Sequence, residues 1–78
     1  MSKRLAPTNW QLQVKIFEAD GFCFERKKGS HRSYIKEGIL RPIIIPEYDE
    51  VGIDIIKSNM RTANMSRDRY FELLELVK

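Results

Sequence analysis

The hydrophobic period of the chain changes twice, and this limits the fold more than any other feature. Apolar residues recur at helical spacing up to Asp20-Gly21, near a period of two from Phe22 to Ile45, and at helical spacing again from Val51 onward. A repeat of 3.6 suits a helix with one buried stripe, and a repeat of two suits a strand with one buried face. The expected order is therefore a helix, a set of strands and a closing pair of helices.

The first helix is expected to open at Pro7-Thr8, with Thr8 as N-cap and Gln11 three residues on completing a capping box. Trp10, Val14 and Phe17 recur at helical spacing, and Leu12 and Ile16 widen the apolar face. Asp20-Gly21 ends it, since glycine tolerates the C′ conformation. In the first strand Phe22, Phe24 and Arg26 should share one face, with Cys23, Glu25 and Lys27 on the other. Lys28-Gly29 forms a turn. The second strand is expected over 30–37, with His31, Ser33 and Ile35 on one face and Arg32, Tyr34 and Lys36 on the other. After a turn at Glu37-Gly38, the third strand should cover 40–45, stopped by Pro46.

Asp49 is the expected cap of the next helix, with Glu50 in its first turn. Val51, Ile55, Ile56 and Met60 would be its apolar side, with Gly52 inside it at a cost of about 1 kcal/mol. Asn64 is a candidate left-handed terminator. Ser66 should cap the last helix, with Asp68 in its first turn and Tyr70, Leu73, Leu74 and Val77 inward. The expected fold class is α+β, in the order α-β-β-β-α-α, with helices covering one face of a three-stranded antiparallel sheet. Residues 1–7 read as a flexible arm and 8–78 as a single domain.

A chain of 78 residues builds a marginal core. One cysteine and one histidine leave no disulfide framework and no set of soft metal ligands. No metal and no cofactor are expected, and support could come from a homo-oligomer or a protein partner. The aromatic residues Trp10, Phe17, Phe22, Phe24 and Tyr34 are needed for packing more than for base stacking, and Cys23 reads as buried and inert. No apolar run approaches the roughly 20 residues that span a bilayer. The N-terminus lacks the hydrophobic stretch of a secretory signal, so a cytoplasmic location is expected.

The net charge of +3 is modest, but its placement is informative. Acidic residues thin out between 26 and 36, where Arg26, Lys27, Lys28 and Arg32 surround Gly29, Ser30 and His31. Cations can hold a phosphodiester backbone. A tight glycine turn lets a phosphate approach the chain, and an imidazole can move a proton near neutral pH. RNA brings its own nucleophile, the 2′-OH, so cleavage requires no metal. The same residues could instead form a solvated hairpin tip. The prolines around Ile43-Ile44-Ile45 could leave a strand edge open to a partner, or merely guard against aggregation.

The chain resembles the HicA (YcfA-like) family. The residues that carry the likeness are Gly21-Phe22, Arg26-Lys27-Lys28-Gly29-Ser30-His31-Arg32, Tyr34, Pro46, Ile55-Ile56-Lys57, Arg61-Thr62-Ala63, Met65-Ser66 and Tyr70-Phe71-Glu72-Leu73-Leu74. The resemblance implies a double-stranded-RNA-binding-like fold and the toxin half of a bacterial toxin–antitoxin pair. It implies an endoribonuclease acting on mRNA, restrained by a HicB-like antitoxin, and it assigns catalysis to His31. Arg32 stands where many members have a second histidine, and Pro46-Glu47-Tyr48 stands for their Pro-x-His, which suggests a divergent branch. Two other readings share the same residues: a non-catalytic RNA-binding module, and a protein-interaction domain.

Overall fold

A computed structural model describes residues 3–78. Its elements are α1 (Trp10–Ala19), β1 (Cys23–Lys28), β2 (His31–Ile35), β3 (Ile43–Pro46), α2 (Ile53–Thr62) and α3 (Arg67–Val77). The order α-β-β-β-α-α and the antiparallel sheet, ordered β1-β2-β3, are those expected of the double-stranded-RNA-binding-like architecture. Among the described residues no helix is long and apolar enough to cross a membrane.

The helix ends show why the chain breaks where it does. Asn9, not Thr8, caps α1: its side chain accepts from the Leu12 N–H at 2.8 Å. Thr8 is occupied in a short antiparallel bridge to Val51. At the other end Phe22 N–H donates to the Phe17 carbonyl and Gly21 N–H to that of Glu18. This is a Schellman closure, with Gly21 at φ 104° and the Phe17 and Phe22 rings meeting edge-on at 5.7 Å. The end of α2 repeats it: Met65 N–H donates to Met60, Asn64 N–H donates to Arg61, and Asn64 takes φ 55°. Gly52 is the N-cap of α2 rather than an interior residue, so the expected helical penalty does not arise. Asp54, not Glu50, supplies the acid of the first turn. Ser66 caps α3 by accepting from Arg69 N–H.

The sheet departs from simple alternation at one place. Phe24 pairs with Tyr34 and Arg26 with Ser33, so Glu25 is an extra, bulged residue. Phe24 and Arg26 therefore lie on opposite faces, against expectation. The hairpin turn is Gly29-Ser30 rather than Lys28-Gly29, since Lys28 pairs with His31. Gly29 has φ 61°, and among the described non-glycine residues only Asn64 is positive. That is the type II′ pattern, which matches the twist of paired strands. Leu40 is exposed, outside the shorter β3.

Paired residues in an antiparallel sheet project to the same face. Tyr34 with Phe24 and Ile43, and Arg32 with Lys27 and Ile45, face the helical side. Ile16 and Phe17 of α1 complete the core there with Tyr70 and Leu73 of α3. Buried Gln13 ties the layers by donating to Tyr70 Oη at 2.8 Å and to Thr8 Oγ1 at 2.9 Å. Asp20 joins Lys36 at 3.2 Å and Arg69 at 3.1 Å. Leu5 is buried in the same core, and the Lys3 carbonyl accepts from Arg67. The arm expected over 1–7 is thus anchored at those positions, while Met1 and Ser2 lie outside the described residues. α2 stands along β3, where buried Asn59 donates to the Ile44 carbonyl at 2.9 Å. This gives one backbone carbonyl of β3, the edge strand, a partner on α2.

Candidate nucleic-acid interface and active site

His31 is the first residue of β2, exposed immediately after the type II′ turn. Its side chain points away from the core that Tyr34 enters, because strand alternation sets it on the face opposite Arg32, and it shares a rung with Lys28 and Pro46. The next rung on that face holds Arg26, Ser33 and Ile44, and beyond it Cys23 pairs with Ile35. Cys23 is exposed, not buried as expected, because the strand places it on the side without α1. The face opposite α1 therefore combines one imidazole, two cations and an apolar surface.

The basic stretch divides between the two faces. Arg26 and Lys28 stand on the His31 face and form no ion pair among the described residues. Lys27 and Arg32 lie on the opposite face, bound to the Glu47 carboxylate at 3.0 and 2.7 Å. Arg32 also lies over the rings of Trp10 at 4.6 Å and Phe24 at 5.5 Å, and donates to Tyr34 Oη at 3.4 Å. It is wedged into the hairpin base rather than displayed. The Arg32 and Lys27 hydrogen bonds hold the Glu47 carboxyl below the ordinary carboxylate range, and Glu47 in turn raises the Arg32 guanidinium. An acid so committed has no free proton to give near neutral pH. Gly29 and Ser30 form the turn, and the Ser30 carbonyl accepts the Glu47 N–H at 2.7 Å. That bond fixes the hairpin tip to the segment after β3.

The same segment carries Tyr48. Its ring stands at a steep angle to that of His31, with centroids 6.3 Å apart, and its carbonyl accepts from Trp10 N–H at 3.1 Å. Tyr34 lies buried on the far face and Glu25 sits in the bulge, so neither side chain stands beside the His31 ring. Tyr48 is the one placed beside it.

His31 and Tyr48 border a groove of about 450 Å³ between the sheet face opposite α1 and the helix α2. Ile44, Pro46 and Ile55 give it apolar surface, and Asp54, Ser58 and Thr62 line its helical wall. Sequence reasoning missed this wall, although its three polar residues recur every four positions, one face of a helix. Among the described residues no three His, Cys, Asp or Glu side chains gather as a metal site.

One family model matches the chain, over residues 10–65, and it is described as the HicA toxin of bacterial toxin–antitoxin systems. The match runs from the start of α1 through the hairpin, the groove and the end of α2. Neither the curated proteins nor the solved structures yield a significant match.

Proposed function

The chain belongs to the HicA toxin family, and from that premise we propose that it is a metal-independent endoribonuclease acting on mRNA, with His31 as its general acid/base. The supporting observation is the placement of His31: exposed at the hairpin tip, on the face that also carries Arg26 and Lys28, at the mouth of a groove. Arg26 and Lys28 neutralise the phosphates on either side of the scissile bond. His31 takes the proton from the 2′-OH as that oxygen attacks the adjacent phosphorus. The 5′-oxygen of the next nucleotide leaves and takes a proton from solvent, giving a 2′,3′-cyclic phosphate and a 5′-hydroxyl end, and His31 then returns its proton to solvent. Of the remaining expected RNA ligands, Lys27 and Arg32 shape the hairpin through Glu47, and Gly29 with Ser30 lets the backbone approach the phosphate. A HicB-like antitoxin is the matching partner.

The test is induction of the chain beside His31→Ala in a bacterial host, following growth and full-length mRNA. Growth arrest with mRNA loss for the native chain alone is expected. Equal toxicity of the variant contradicts the role of His31. Salt-dependent RNA binding by both chains, without cleavage, would make this a non-catalytic RNA-binding module.

A further inference from the structure

The groove beside His31 contains more than the cleavage chemistry uses. Its volume of about 450 Å³ falls in the range of small-ligand sites. Ile44, Pro46 and Ile55 offer flat apolar contact, and the half-exposed Tyr48 ring offers a stacking surface at the His31 end. The helical wall is rich in acceptors. The Asp54 carboxylate offers acceptor oxygens. Asn59 gives one of its two amide N–H groups to the Ile44 carbonyl at 2.9 Å, which leaves the other N–H and its side-chain oxygen. The Ser58 and Thr62 hydroxyls adapt to either role.

We propose that this groove binds one unpaired base of the RNA next to the cleaved phosphate, and that its wall selects guanine. The proposal rests on the RNA-cleaving reading and deepens it. A carboxylate has two oxygens in one plane. Guanine matches them with two adjacent donors, N1–H and the N2 amino group, in a paired charge-assisted contact. Adenine and cytosine present an amino group beside an acceptor nitrogen, which the carboxylate repels, and uracil presents a single imide N–H between two carbonyls. A phosphate held at His31, Arg26 and Lys28 leaves the attached base within reach of the Tyr48 end.

Binding of the four nucleoside 3′-monophosphates to the full chain, followed by the NMR shifts of its backbone amides, tests this without any cleavage. The expected result is movement at Tyr48, Asp54, Ser58 and Thr62, with guanylate bound at least tenfold more tightly than uridylate. Asp54→Asn, which places a donor where the carboxylate was, should erase that tenfold preference. A structural role of Asp54 at the start of α2 would not alter base preference. Equal affinity for all four bases, or shifts confined to the hairpin, overturns the subsite. If the subsite fails while His31 still supports cleavage, the proposed function stands; if the chain cuts no RNA, guanylate binding still decides the subsite.

Discussion

At the scale of single residues, position relative to the sheet decides what each charge can do. His31 and Arg32 are neighbours in sequence, yet strand alternation sends one to solvent and the other toward Trp10 and Phe24. Glu47 is the residue that separates the two sets of cations. Its folded-state carboxyl titrates below its unfolded value, chiefly through the Arg32 hydrogen bond and then through Lys27. Its contribution is therefore present above the unfolded carboxylate pKa and is lost as pH falls through the lower folded one. Glu47→Gln should lower the melting temperature at neutral pH and flatten the acid side of the stability profile. Thermal melts of both chains across the acid range check this; an unchanged profile would mean the Lys27–Glu47–Arg32 cluster is energetically idle.

At the scale of elements, what was legible in the sequence was the local chemistry of chain ends. Gly21, Asn64 and Ser66 act where expected, because a left-handed residue or a capping hydroxyl works within a few positions of itself. Less was legible where a distant partner competes. Thr8 is a competent cap, but Val51 takes its backbone and Asn9 caps instead. The bulge at Glu25 has no strong local signal, and it reverses the outward alternation of β1, moving Arg26 to the His31 side. The basic run was visible as one cluster, whereas its division into displayed and embedded cations depends on Glu47, fifteen residues beyond Arg32. The hairpin variants should separate these roles. Arg32→Ala should cost about 1–2 kcal/mol of stability through its lost ring and carboxylate contacts. Lys28→Ala should leave the melting temperature unchanged, weaken RNA binding across sequences and reduce the salt slope of log K by about 1. Calorimetry and RNA titrations at several salt concentrations distinguish them; the reverse pattern would show Arg32 to be the displayed phosphate ligand.

At the scale of the molecule, the two sides of the sheet have different work. One side is closed by α1, with α3 behind it, and there Tyr70 is buried with its hydroxyl on Gln13 and its pKa raised by that burial. The other side keeps the hairpin, the groove and the apolar strip open, with α2 as a wall and its Asn59 bonded to the Ile44 carbonyl of β3. A small chain with a marginal core thus holds a rigid floor under an exposed histidine. Family membership agrees with a toxin, and the proposed RNA contact lies on this open side. The central claim is that His31 cuts RNA without a metal. The most direct measurement is cleavage of single-stranded RNA by the purified native chain and its His31→Ala variant, with a chelator present throughout. The expected result is fragments ending in 2′,3′-cyclic phosphate, and a rate about 10²–10⁴-fold lower for the variant at an unchanged melting temperature. Equal cleavage by the two chains, or cleavage by the native chain that the chelator abolishes, would contradict it.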